Sequence, residues 1–447
     1  MNSVEKNNYI KFLFKPFFFI ITLLLGVYLV FWIEKLKPSD FGSYKGIFLK
    51  EIIIHKIDIY PLRKPAGKLT LEEQIFAKIA WKYFQNNYHD STGFVNGTDI
   101  NSAFTMKDMT SYLMGMISAY EINIIDSTEL DRRLTFFLKS LGTIQLYDGK
   151  LPNKIYSSAT LQMFDNRNRI TKKGVGWSSL DIGRFFSFVN KITIDYPQYQ
   201  PMLKKAIGKW KLENMINDGC LYGMSNSRNE KNPRVTQEGR LGYEEYCCKG
   251  LLMAGYDVTE AFSYTDFIKF IKIYKNEIAV DTRKMKTPPD YNYILSEPYI
   301  LDGIEYGWDV NSKELAYRIF KVQKERYLET NIITAVCADY MDTPPYFVYN
   351  TVYADDNTWN CIGKNGDNKE DLKSISTKAA FGWYVLFEDE YSDLLLATVK
   401  NLYDAEKGWY AGKYEKTGRI NKALTANTNG MILEALNYKM NGRIVKF

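Results

Sequence analysis

A short phrase recurs along this chain and constrains its fold more than any other feature. It reads Gly93-Phe94-Val95-Asn96-Gly97, then Gly219-Cys220-Leu221-Tyr222-Gly223, then Gly408-Trp409-Tyr410-Ala411-Gly412. Looser echoes stand at Asp148-Gly149 and at Asp302-Gly303-Ile304-Glu305-Tyr306-Gly307. Each copy separates two stretches of helical periodicity. A Gly past a helix end supplies the left-handed cap that residues with a Cβ resist. Repeated units of this kind imply helical hairpins that bury their apolar faces on one another. The spacing is irregular, which favours a closed ring of hairpins over an open solenoid.

Thr70 followed by Glu73 has the form of a capping box and predicts a helix running to about Asn87. Helical patterns recur near 106–122, 127–141, 178–194, 198–215, 243–256, 258–276, 311–329, 376–388, 390–402 and 427–438, with one more near 297–304. Eleven or twelve helices fit six hairpins. The expected fold is all-α, an (α/α)6 toroid over residues 69–447.

The helices divide by composition. Tyr199–Met215 and Ser312–Glu329 are charged and amphipathic, as an outer layer requires. Others are small, apolar and aromatic, and open on polar residues. They include Thr105–Tyr112, Gly176–Arg184, Gly242–Tyr246, Ser376–Trp383 and Ala426–Gly430. Helices of this second type suit an inner ring, and their polar starts would gather at one mouth. The partial positive charge of helix N-termini favours carboxylates and polar ligands there.

Residues Pro16–Ile33 carry no charge, and eighteen helical residues rise about 27 Å, close to the thickness of a bilayer core. Lys6, Lys11 and Lys15 precede the run, and no small-residue cleavage site ends it. The expectation is a tail and signal anchor over residues 1–37, a membrane-proximal linker over 38–68 with a short strand within 52–59, and a toroid outside the inner membrane, periplasmic or extracellular.

Two His and five Cys without a CxxC pair argue against a metal centre, and no metal or other cofactor is expected. The net charge of +6 is spread thinly, with no dense basic tract, which excludes nucleic acid as a partner. Aromatic residues reach 15% of the chain, which serves either core packing or a groove that stacks on sugars. Carboxylates gathered among rings are what glycoside hydrolysis needs, one protonated to donate and one ionised to attack or to activate water. Glu245 or Glu244 is the expected general acid. Asp181 and Asp108 are expected to position water or hold sugar. Trp177, Arg184, Tyr243, Tyr349, Asn350, Trp359, Trp383 and Asn427 are the expected substrate contacts.

Several of these phrases carry a resemblance. Gly176–Arg184, Leu241–Tyr246, Pro345–Tyr353, Ser376–Trp383 and Asn427–Asn429 together resemble a bacterial family of unknown function whose members are often membrane-anchored envelope proteins. The resemblance spans roughly residues 68–440. More distantly, Gly242–Tyr246 is similar to the Gly-Tyr-x-Glu-Tyr segment of glucoamylase-like toroids, including endo-β-1,2-glucanases. The Glu of that pattern falls on Glu245, and a Ser-x-x-Asp helix start falls on Ser178–Asp181. The resemblance implies an (α/α)6 toroid and a polysaccharide or oligosaccharide partner. It leaves two readings open: an endo-acting glycoside hydrolase, or a non-catalytic glycan-binding or scaffolding subunit of envelope polysaccharide machinery.

Overall fold

A computed structural model describes residues 19–30, 59–226, 233–264, 267–283, 292–354, 356–363 and 365–446. The chain divides into two units, Met1–Lys56 and Ile57–Phe447. In the first, residues 19–30 are helical, and Phe19, Leu24 and Tyr28 are among the large apolar side chains exposed there. Among the described residues no helix is long and apolar enough to cross a membrane. Both ends of the apolar run Pro16–Ile33, and nearly all of the strand expected within 52–59, lie outside the described residues.

The second unit contains eleven α-helices among its described residues: α1 Leu71–Asn86, α2 Met106–Glu121, α3 Ser127–Leu141, α4 Ser179–Asp195, α5 Gln200–Ile207, α6 Tyr243–Met253, α7 Glu297–Tyr306, α8 Val310–Thr330, α9 Thr377–Leu386, α10 Glu390–Val399 and α11 Ala426–Asn441. Helices α2, α4, α6, α7, α9 and α11 each pack on the next, and α11 packs back on α2, which closes an inner ring. Outside it, α1 lies on α11, α3 on α2, α5 on α4, α8 on α7 and α10 on α9.

Glycine shows which helices form the ring. Each inner helix holds one glycine, at Gly115, Gly183, Gly250, Gly303, Gly382 and Gly430, and no outer helix holds any. A glycine inside a helix costs about 1 kcal/mol against alanine. Here it admits a neighbour. A Cβ on Gly430 would sit 2.4 Å from the Ser111 carbonyl oxygen of α2, and one on Gly382 would sit 2.3 Å from Ile300 of α7. The inner helices are buried on nearly every side, as their aromatic and small-residue composition requires.

Three expectations need correction. The stretch 258–276 is not a helix: Ile268–Ile273 and Asn276–Asp281 form an antiparallel hairpin that packs on α8, and among the described residues no outer helix stands between α6 and α7. Ile268, Ile271, Ile273, Ile278 and Val280 are β-branched, and such side chains fit a pleated sheet better than a helix. The helix expected over 198–215 ends at Ile207, followed by a 3-10 turn at Leu212–Asn214. The first glycine of each copy of the recurring phrase, Gly93, Gly219 and Gly408, has a positive φ but serves as a turn. Asp218 (φ 48°) and Gly219 (φ 69°) join Ile216–Asn217 to Cys220–Ser225 as a two-residue hairpin loop, the geometry that needs two positive φ values. Only the looser echo ends as a true cap, with Gly307 (φ 78°) closing α7. The fold is thus mostly helical, with short hairpins in the connections.

One end of the ring is covered by the two ends of the toroid unit. The Arg63 amide donates to the Leu386 carbonyl at 3.0 Å, and the Ala66 amide donates to the Lys439 carbonyl at 2.7 Å. The Ile444 amide donates to the Ile304 carbonyl at 3.0 Å. These satisfy carbonyls at the C-terminal ends of α9, α11 and α7. The helix starts, at the other end, form the mouth.

Candidate active site

The inner helices begin on side chains that hold their own first turns. Thr105 accepts from the Asp108 amide at 3.2 Å, and the Asp108 carboxylate accepts from the Thr105 amide at 3.0 Å and hydroxyl at 2.8 Å. This is a capping box at the start of α2. At the start of α6, Glu245 accepts from the Gly242 amide at 2.6 Å. At the start of α4, Ser178 accepts from the Asp181 amide at 3.2 Å. The Asp181 carboxylate itself makes no hydrogen bond or ion pair with any described residue, and Asp181 is only half-buried.

Beneath the mouth lies a charged floor. Glu297, at the start of α7, pairs with Lys107 of α2 at 2.6 Å and with Lys378 of α9 at 2.9 Å. Asn427 of α11 donates to Glu297 at 3.3 Å and accepts from Lys378. Lys378 also donates to the Ala338 carbonyl at 2.7 Å and lies 3.5 Å from Asp339. Burial opposes ionisation of Glu297, but the two lysine charges overcome it and hold its carboxyl well below the usual range. Four inner helices meet at this one carboxylate.

A second tie lies deeper on the ring axis. Arg184 of α4 donates to Ser111 at 2.7 Å, to Tyr246 at 3.3 Å and to Glu434 at 3.2 Å, and lies 3.6 Å from Glu305. Tyr246 donates to Glu305 at 2.7 Å. Burial and the neighbouring Glu305 push the Glu434 carboxyl well up. Arg184, expected to touch substrate, is 3% exposed and joins the helices instead.

The four expected catalytic carboxylates therefore stand in different situations. Asp108 caps α2 and is 3% exposed. Glu244 is gripped by Arg283 at 2.7 Å and by Gln237 at 2.7 Å. Glu245 faces the Gly242 amide, and burial followed by the Glu244 charge pushes its carboxyl well up. Asp181 is pushed up to about 6, by burial first and then by Glu238, with Lys107 opposing and Asp108 adding to the rise. Glu238 is a carboxylate that the sequence reading passed over. It accepts from the Ser179 amide at 2.6 Å and hydroxyl at 2.9 Å, on the first turn of α4. Nothing in the sequence spacing joins residue 238 to residue 179; the hairpin Cys220–Ser225 with Arg234–Gln237 brings them together.

The expected rings divide as well. Tyr243 is half-buried at the mouth, with the Lys107 ammonium 5.7 Å from its ring centre. Tyr349 stacks on Tyr293 with centroids 4.1 Å apart. Asn350 is buried and donates to Ser374 at 3.3 Å. Trp177 is 2% exposed and donates to the Tyr222 carbonyl at 3.0 Å. Trp383 is fully buried, donating to Ser296 at 3.1 Å. Trp359 is covered by the Arg326 guanidinium, 4.9 Å from its ring centre. These three indoles pack the walls and do not line an open groove. Tyr340, also missed, has its hydroxyl pushed well up, by Asp108 first, then by burial and by Asp181.

Residues 75–442 match the family described as a protein of unknown function, DUF3131. The chain belongs to this family. Comparison with curated proteins finds no match. Among solved structures, the fold is similar to a glucoamylase-like protein from Bacteroides caccae, with TM-score 0.59 and 11% identity over 83% of this chain and 94% of that one. It is similar to an endo-β-1,2-glucanase from Chitinophaga pinensis in complex with sophorotriose and glucose, with TM-score 0.56 and 13% identity over 84% of this chain and 94% of that one. An endo-β-1,2-glucanase variant from Talaromyces funiculosus in complex with β-1,2-glucan gives TM-score 0.54 and 11% identity, over 84% and 85%. At these identities the likeness shows a glycosidase-like helical toroid and nothing of activity.

Proposed function

We propose that this protein is a glycoside hydrolase that binds a polysaccharide across the mouth of the toroid and cleaves it within the chain. Asp181 donates the proton to the leaving glycosidic oxygen. The observation that carries this is its freedom: of the four expected carboxylates it alone is no more than half-buried at the mouth, and its carboxylate makes no hydrogen bond or ion pair with a described residue. An acid must release its proton to substrate, and a carboxylate already capping a helix or paired with Arg283 is spent. Burial beside a second carboxylate is the environment that keeps such a group protonated near neutrality. Glu238, which accepts from two donors on the first turn of α4, is the fellow carboxylate for a transition state that gains positive charge at the sugar. The complexes of the similar glucanases with β-1,2-linked glucose support a glucan as first substrate to try.

The same reading places the domain outside the inner membrane, held by the Pro16–Ile33 run, where envelope polysaccharide is found. The test is reducing-sugar release by the purified domain over β-glucans and bacterial exopolysaccharides. Cleavage lost in Asp181→Asn with the fold intact supports the assignment. Binding of polysaccharide without cleavage by the parent would replace hydrolysis with a scaffolding role.

A further inference from the structure

The recurring glycine phrase closes on a second glycine that turn geometry does not explain. Gly97, Gly223 and Gly412 hold this place, and none of them has the left-handed φ that favours glycine. What they share is the group each lies against. A Cβ on Gly97 would sit 2.5 Å from Asp108 Oδ2, and one on Gly223 would sit 2.5 Å from Glu238 Oε2. One on Gly412 would fall against the Ile375 carbonyl oxygen. Each of these groups stands at the start of an inner helix. Asp108 caps α2, Glu238 accepts from the first turn of α4, and Ile375 precedes Ser376, the N-cap of α9.

Gly223 differs from the other two in what it admits. Gly412 admits backbone, and Gly97 admits a carboxylate that already caps its own helix. Gly223 admits the carboxylate of Glu238, which the Ser179 amide and hydroxyl draw onto the first turn of α4 at 2.6 Å and 2.9 Å. Asp181 lies two residues further along that turn, and Cα atoms so placed in a helix are about 5.5 Å apart. The backbone around Gly223 has no room to retreat. The Trp177 indole donates to the Tyr222 carbonyl at 3.0 Å, the Met224 amide donates to the Trp177 carbonyl at 3.0 Å, and the Glu238 amide donates to the Leu221 carbonyl at 2.8 Å. Gly223 itself stands opposite Thr236 in the hairpin. A side chain at 223 would therefore push the Glu238 carboxylate away and leave the strand where it is.

We propose that Gly223 is a positioning residue for the two carboxylates of the mouth: without a Cβ, it lets Glu238 lie on the first turn of α4 beside Asp181, so that both act on one glycosidic bond. This rests on the glycosidase reading of the mouth. The charge of Glu238 is also the second cause, after burial, of the raised Asp181 carboxyl. The other charges that act on Asp181 are Lys107 and Asp108 of α2 and Lys154, and Asp181 in turn acts on the Tyr340 hydroxyl and the Cys247 thiol. Alanine at 223 adds no charge to this set, so its effect on Asp181 passes through Glu238.

The test follows the Asp181 carboxyl by NMR in the aspartate-labelled full chain, its signal assigned by loss in Asp181→Asn, beside the pH profile of kcat/KM on linear β-1,2-glucan. In Gly223→Ala the titration midpoint should fall from about 6 toward 3.8, stopping short because burial remains. The falling limb of kcat/KM should move to lower pH with it, and kcat/KM at neutral pH should drop about tenfold or more. Glu238→Gln should lower the midpoint as well. Adding Gly223→Ala to Glu238→Gln should move it no further, since both act through one carboxylate. Gly412→Ala should lower the unfolding midpoint and leave the Asp181 titration as in the parent. A parent-like titration in Gly223→Ala, or a further fall in the double variant, overturns the positioning role. So does a Gly223→Ala chain that does not fold, which makes the glycine a structural residue. A parent that cleaves no polymer, with the titrations shifted as expected, overturns the hydrolase reading and supports the placement of the pair by Gly223.

Discussion

At the scale of single residues, Asp181 makes a prediction with opposite signs for stability and activity. Folding lifts its pKa from the ordinary 3.8 to about 6. Between those values the folded chain holds the proton more tightly than the unfolded chain does. The favourable contribution is therefore present at low pH and fades as pH rises through the window, and above about 6 a poorly solvated anion remains. Its cost is about 2 kcal/mol after allowance for partial exposure. Asp181→Asn should thus raise stability by about 1–2 kcal/mol at pH 8 in denaturant titrations and change little at pH 4. The same variant should lose cleavage by a factor of about 10² or more. For the parent, kcat/KM should fall as pH rises through about 6, when the acid loses its proton. A falling limb displaced to pH 8 or above would assign the acid elsewhere. Lys378 behaves differently, because it neutralises Glu297 and faces Asp339 on the buried floor. Lys378→Met should cost about 3–5 kcal/mol, the usual penalty for stranding a buried charge, read as a lower unfolding midpoint. A midpoint like the parent's would show that Lys107 alone suffices for Glu297.

At the scale of elements, the inner ring depends on helices that approach more closely than side chains allow. Gly430→Ala exchanges a poor helix former for the best one, a gain of about 1 kcal/mol. Against it stands a Cβ 2.4 Å from the Ser111 backbone oxygen. Overpacking of this kind costs about 1–3 kcal/mol, so a net loss is expected in thermal or denaturant unfolding. A net gain would show that α2 and α11 can move apart freely. Such helices were legible in the sequence because their composition is imposed by burial on all sides: the starts at Thr105, Ser178, Gly242, Ser376 and Thr425 all fall where the polar-then-apolar pattern put them. The capping box of Thr70 and Glu73 was legible for the same local reason. The hairpin Ile268–Asp281 was not, because its apolar residues satisfy a helical period about as well as an alternating one. The site was legible only in part. Helix starts gave Asp181 and Tyr243, but tryptophan is large enough to serve a wall as well as a groove, and Trp177, Trp359 and Trp383 serve walls. Glu238 and Tyr340 come from hairpins whose approach to α4 and α2 is set by tertiary pairing, which leaves no mark in local spacing.

For the whole molecule, carboxylates at the mouth and its floor outnumber ammonium groups among the described residues: Asp108, Asp181, Glu238, Glu297 and Asp339 face Lys107, Lys154 and Lys378. A polymer of uronic acids meets net repulsion there, so neutral glucans should be preferred, with the preference shrinking in high salt. The closed end leads to the last prediction. Residues 59–67 enter the toroid unit along the C-terminal ends of its inner helices, opposite the mouth, and residues 443–446 cover the same end. The unit begins at Ile57. Every described contact that builds the floor or places Asp181 is made by residues after Ile57. A chain starting at Ile57 should therefore fold, remain in solution and keep the full chain's kcat/KM on the same polymer. The full chain, by contrast, should sediment with membranes and resist alkaline extraction, because its Pro16–Ile33 run is uncharged and about 27 Å long as a helix. Protease added to spheroplasts should digest the toroid if it lies outside the inner membrane. A mature N-terminus near residue 38 in the native protein, or a toroid protected until the cells are lysed, would overturn the anchored, outward-facing arrangement while leaving the chemistry of the mouth to be judged by Asp181→Asn.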